Sequence, residues 1–129
     1  MEINWIAVLV ASVSAFILGG IWYGPLFGKK WMELVGMTEE KIKDGNMAMI
    51  YGPVLIINIF ACATFSMFLG NEIDWQTGAL YGFTAGLFWV AGAFGVQYLF
   101  ERRPLSLWLI NGGYNIVQFT LFGAILAGL

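Results

Sequence analysis

Polar and apolar positions along this chain are sorted into long blocks, with no short helical or strand period running end to end. Uncharged, mostly apolar runs cover Ile3–Gly28, Asn46–Asn71, Trp75–Phe100 and Pro104–Leu129. Each exceeds the ~20 residues that a helix needs to cross ~30 Å of hydrocarbon. The pattern predicts an all-α integral membrane protein, a single domain over residues 1–129. Its transmembrane helices are expected at about 4–24, 47–69, 77–100 and 105–128.

Local signals set the ends of these spans. Asn4 suits an N-cap, Pro25 is expected to stop the first span, and Trp5, Trp22 and Tyr23 fall where amphipathic rings prefer the membrane interface. The longest connection, Leu26–Asn46, carries Phe27, Trp31, Leu34 and Val35 at helical spacing among Lys30 and Glu33, which predicts a short interfacial helix. Thr38 then caps a second turn, Glu39–Lys43, that Gly45 ends. Pro53 is expected to bend the second span by freeing the carbonyl of Met49. The short segments Gly70–Gln76 and Glu101–Pro104 make neighbouring spans antiparallel. Ile3-Asn4-Trp5 and Ile73-Asp74-Trp75 open the first and third spans alike, a faint sign of a parallel repeat that capping needs alone could also produce.

Within the third span, Gly78, Gly82 and Gly86 repeat every fourth residue and, with Ala85, Gly92 and Ala93, form a small-residue face. The first span has a lesser version in Ala7, Ala11, Ala15 and Gly19. Small faces let helix backbones approach closely in lipid, so the first and third spans are expected to pair most tightly. Trp89 stands among these small residues, as a packing knob or a pocket wall. In the fourth span Asn111, Asn115 and Gln118 share one face, with Trp108 on the same side as a second candidate wall. Amides at membrane depth need partners, here sought in Asn58, Gln97, Ser12, Ser14 or a second subunit. They read as interhelical glue, or as a polar pathway that the adjacent Gly112 and Gly113 leave room for.

Charge adds orientation. Lys29, Lys30, Lys41 and Lys43 lie in the first loop and Arg102 and Arg103 in the third, whereas the second holds only Glu72 and Asp74. The positive-inside rule then places the first and third loops in the cytoplasm and both termini outside, as expected for a bacterial inner-membrane protein. No basic residue precedes the first run, which is also too long for a signal-peptide core, so it is read as a retained span. The six basic residues are too dispersed for a nucleic-acid footprint.

Composition removes much chemistry. The chain is 60% hydrophobic and 11% charged, with no His and one Cys. No acid lies within a span, which disfavours proton-coupled transport. Neither a His/Cys metal site nor a Ser-His-Asp or Cys-His constellation can be assembled, no phosphate- or dinucleotide-binding motif appears, and no cofactor is expected. Cys62, alone and mid-span, reads as a packing residue. Acid–base candidates are confined to loops: Glu33, Glu39, Glu40, Asp44, Glu72, Asp74 and Glu101. None is assigned a catalytic role, which weighs against an enzyme.

Two blocks of residues carry a resemblance. One is Asn4-Trp5 leading to Leu18-Gly19-Gly20-Ile21-Trp22-Tyr23-Gly24-Pro25-Leu26-Phe27-Gly28-Lys29 and Trp31-Met32. The other is Phe100-Glu101-Arg102-Arg103-Pro104-Leu105, Leu107-Trp108-Leu109-Ile110-Asn111-Gly112-Gly113-Tyr114 and Gly123-Ala124-Ile125-Leu126. Over essentially the whole chain the sequence resembles the family of small bacterial membrane proteins catalogued as domain of unknown function 1761. The resemblance implies a four-span membrane protein with no established activity. It also implies that an acid often stands where this chain has Asn111, so the amide here weakens any assignment of proton transfer to that position.

The expected role is therefore a non-enzymatic structural or accessory membrane protein. Its partners are the lipid bilayer and further copies of itself, met through the small-residue faces. The alternatives are an oligomeric channel or carrier for a small, weakly charged solute lined by the span-four amides, and a lipid-headgroup enzyme using loop carboxylates. No substrate or ligand is named by the sequence.

Overall fold

The computed structural model describes residues 2–129, and all regular structure among them is helical. Helix α1 (Trp5–Ile21) passes into a π-helical turn, Trp22–Leu26, and is followed by α2 (Gly28–Val35) and α3 (Glu39–Asp44). Helix α4 covers Met47–Leu69. The third span is α5 (Trp75–Thr84), a π-helical segment (Ala85–Ala91) and α6 (Gly92–Glu101), and α7 covers Leu105–Gly128. Four continuous helices, Trp5–Leu26, Met47–Leu69, Trp75–Glu101 and Leu105–Gly128, are long and apolar enough to cross a membrane. The protein is a multi-pass membrane protein.

The caps follow from short polar side chains. Asn4 accepts from the Ala7 N–H at 3.2 Å, Asn46 from Ala48 and Met49, and Thr38 from Lys41. Asp74 accepts from the Thr77 N–H at 2.8 Å, so the third span starts at Trp75, two residues before the Thr77 start that the apolar pattern suggested. Hydrogen bonding from the Thr77 side chain, and then from its N–H, holds the Asp74 carboxyl below its ordinary range. A depressed carboxyl contributes stability above its unfolded pKa and loses it as pH falls. Asp74→Asn keeps the acceptor and removes the titration. It should flatten the fall of the thermal midpoint below about pH 4, whereas the neutral cap Asn4 gives no such dependence in either protein.

Pro25 behaves differently from expectation. Pro25 does not stop the first span: the chain widens into a π turn in which the Phe27 N–H reaches the Trp22 carbonyl at 2.9 Å, so a residue without an N–H is absorbed. Pro53 sits within an unbroken α4.

Helix α7 is the hub, packed against α1, α4, α5, α6 and the π segment of the third span. The tightest pair is the third span on the fourth, not on the first as the small-residue faces suggested. The face of Gly78, Gly82 and Gly86 meets α7 backbone: a Cβ on Gly82 would run into the Phe119 carbonyl, and one on Gly86 would lie 2.9 Å from Ile116 Cα. The approach is reciprocal, since a Cβ on Gly123 would meet the Gly78 carbonyl. Sequence pattern exposed the smallness of the α5 face but not its partner, because α7 offers only Gly123 at the crossing. Val8, Ala11, Ala15, Cys62, Ala63 and Phe122 form the buried core among α1, α4 and α7.

Candidate functional site

The bundle has two ends, one carrying the lysine-rich first loop and the Arg102–Arg103 turn, the other carrying Glu2, Glu72 and Asp74. Near the basic end, the two sequence blocks noted above meet. The π turn after Ile21 presents Trp22 and Tyr23 to α7. The Trp22 indole Nε1 donates to the Ile110 carbonyl at 2.8 Å, and the Tyr23 hydroxyl donates to Asn111 Oδ1 at 2.7 Å. Asn111 Nδ2 in turn donates to the Tyr98 hydroxyl of α6 at 2.8 Å. One carboxamide thus ties three spans together.

Further bonds surround it. Tyr114 donates to the Ala15 carbonyl at 3.0 Å, and Trp108 Nε1 donates to the Ala91 carbonyl at 2.8 Å, where the second π segment ends. A π-helical stretch disturbs the regular i→i−4 ladder, and here the indole attends to a carbonyl at that disturbance. Tyr23 also packs its ring on Tyr114 and on Trp31 of α2, with centroids 5.2 and 5.5 Å away. Glycines make room for these rings. A Cβ on Gly95 or Gly112 would lie 3.0 or 3.2 Å from the Trp108 indole, and one on Gly113 would lie 3.1 Å from Trp22.

Depth follows from helix rise. Asn111 lies about 9 Å along the axis from Leu105, and Tyr98 about one turn from Glu101. The knot therefore sits in the part of the bundle nearer the basic end than the middle of the spans. It offers two phenol hydroxyls and a carboxamide fastened to one another, without an acid, a base or an activated nucleophile. Among the described residues no group of three His, Cys, Asp or Glu side chains comes together to hold a metal.

The other candidate residues are placed as follows. Asn115 Nδ2 donates to the Asn111 carbonyl in its own helix at 2.8 Å. Asn58 and Gln118 are buried at mid-span, while Gln97 is exposed on α6. Ser12 and Ser14 bond to carbonyls of their own helix, at Val8 and Ala11. The structure does not bring the amides together into one bonded stripe. Trp89 is 73% exposed and turns to the lipid side of the π segment, whereas Trp108 is half-buried between Gly95 and Gly112. Ala11 and Ala15 lie in the core, Gly19 faces the Tyr114 ring, and a Cβ on Gly92 would approach only the Leu87 carbonyl of its own span. Of the loop carboxylates, Glu101 pairs with Arg103 at 2.8 Å.

Sequence reasoning missed Tyr23, Tyr98, Trp22 and Tyr114 as hydrogen-bonding partners. Trp22 and Tyr23 look like interfacial anchors, and nothing in their spacing points across 88 residues to Ile110 and Asn111. The one available signal was the pairing of Gly112-Gly113 with large aromatics in the same short block.

A family model described as "Protein of unknown function (DUF1761)" matches residues 6–127. No curated protein and no solved structure matches the chain.

Proposed function

The chain belongs to the DUF1761 family, and from that premise we propose that it is a non-enzymatic structural or accessory protein of the bacterial inner membrane. The observation that carries this reading is the Asn111 carboxamide, satisfied on one side by Tyr23 and on the other by Tyr98. The most distinctive polar group of the fourth span is spent on fastening spans together. A pathway or a catalytic centre would leave it turned to a ligand. The basic residues beside this knot support a cytoplasmic placement of that end.

Self-association belongs to the same proposal, with a changed surface. Gly78, Gly82 and Gly86 are occupied by α7 of their own chain, so copies must meet elsewhere. Gly20 and Gly24 have open space where a Cβ would be, and these small positions of the first span suit close approach by a second copy.

A double-mutant cycle tests the fastening role. Tyr23→Phe should cost about 1 kcal/mol of stability in detergent or nanodiscs, and that cost should vanish in an Asn111→Leu background. Undiminished stability in both single variants would overturn the reading.

A further inference from the structure

The turn between the third and fourth spans, Glu101-Arg102-Arg103-Pro104, holds the one non-glycine residue with positive φ among the described residues. That residue is Arg102, at φ 58° and ψ 37°, which closes α6 as a left-handed cap. Its N–H bonds to the Leu99 carbonyl at 3.2 Å, and the Arg103 N–H reaches back to the Tyr98 carbonyl at 2.9 Å. Glycine is the usual residue in such a cap, because a Cβ is disfavoured in the left-handed region. Gly36 and Gly70 fill the other positive-φ positions among the described residues. Backbone geometry favours glycine at position 102 as well, so the arginine is to be explained by its side chain.

That side chain is exposed and makes no ion pair. Glu101, the acid of the same turn, is taken by Arg103 at 2.8 Å, the one ion pair among the described residues. Glu101 and Arg103 balance each other, and Arg102 is left as the turn's unmatched cation. The surface around it is apolar. Leu99, Phe100 and Leu105, all within three residues of Arg102, are 80%, 85% and 70% exposed. Leu99 and Phe100 lie in the last turn of the third span, and Leu105 opens the fourth. These side chains meet lipid tails, while Arg102 occupies the first position past the third span, toward the headgroups.

We propose that Arg102, with the exposed Leu99, Phe100 and Leu105, forms a docking site for one anionic phospholipid. The phosphate sits on the guanidinium and the acyl chains run along the three apolar side chains. A guanidinium fork can meet two phosphate oxygens at once. Net charge sets the selectivity. A zwitterionic headgroup brings an ammonium that finds no free carboxylate in this turn, since Glu101 is engaged; a phosphatidylglycerol headgroup brings none. The apolar flank favours a lipid over free phosphate, which would gain nothing from Leu99, Phe100 or Leu105. The site is separate from the Tyr23–Asn111–Tyr98 knot and does not rest on its fastening role.

Native mass spectrometry of the full-length protein in neutral detergent, titrated with phosphatidylglycerol or phosphatidylcholine, tests it. The wild type should bind its first phosphatidylglycerol about 5-fold more tightly than phosphatidylcholine. Arg102→Gly should abolish that preference. The same variant puts the favoured residue into the left-handed cap, so its thermal midpoint without added lipid should match or exceed that of the wild type. Lost binding then cannot be assigned to a lost fold. Lys43→Gln removes another exposed cation from the same end and should leave the preference intact. Glycerol phosphate, added at the lipid's concentration, should not displace phosphatidylglycerol. A preference that survives Arg102→Gly, an equal loss in Lys43→Gln, or displacement by glycerol phosphate would each overturn the proposal.

Discussion

Gly82→Ala should be among the most damaging single substitutions in this protein, although it adds one methyl group to a helix. In a free helix alanine is favoured over glycine by up to about 1 kcal/mol. Here the added Cβ would run into the Phe119 carbonyl, with Thr120 Cα another 3.1 Å away, and both belong to backbone that cannot rotate aside. The third and fourth spans must separate, and the reciprocal contact at Gly78 and Gly123 loosens with them. Overpacking of this kind costs about 3 kcal/mol or more. Gly52→Ala gives the opposite sign, because its Cβ would enter open space, and a gain of up to about 1 kcal/mol is expected. Denaturant titration of the two variants in detergent checks the contrast. A Gly82→Ala protein as stable as Gly52→Ala would show that α5 and α7 do not pack at this distance.

The contrast shows what was legible. Gly82 and Gly52 look alike in sequence, both lying within uncharged spans that a hydropathy pattern locates without difficulty. Desolvation of a long apolar helix is a local property, so the four spans, their caps at Asn4 and Asp74, and the basic ends could all be read directly. Which face meets which neighbour is not local. The small-residue stripe of α5 marked close packing, yet its partner was decided by α7, where Gly123 allows the crossing and Phe119 and Asn115 present their backbone carbonyls. The same limit applies to the amides. Need for a partner follows from chemistry, but Tyr23 reaches Asn111 only because a π turn replaces the expected stop at Pro25. That turn is a tertiary compromise that no residue type announces.

Asn111→Leu should be the second large effect, and its size follows from what is left behind. The leucine removes two interhelical hydrogen bonds, each worth about 0.6–1.7 kcal/mol in a membrane. It also strands the Tyr23 hydroxyl, and the Tyr98 hydroxyl loses its donor. Both groups are only partly buried, which lessens the cost of leaving them without a partner. A net loss of about 2–3 kcal/mol is expected. Asn115→Leu should cost less than about 1 kcal/mol, because its bond goes to a carbonyl of its own helix, which the substitution leaves in the helical ladder. The order of effect, Asn111→Leu beyond Tyr23→Phe beyond Asn115→Leu, can be read from SDS-titration midpoints of the purified protein. Equal losses at positions 111 and 115 would mean that the amides act as a diffuse polar stripe. A loss confined to position 111 means that one carboxamide joins the first, third and fourth spans, with α2 linked to the same knot through Trp31 on Tyr23.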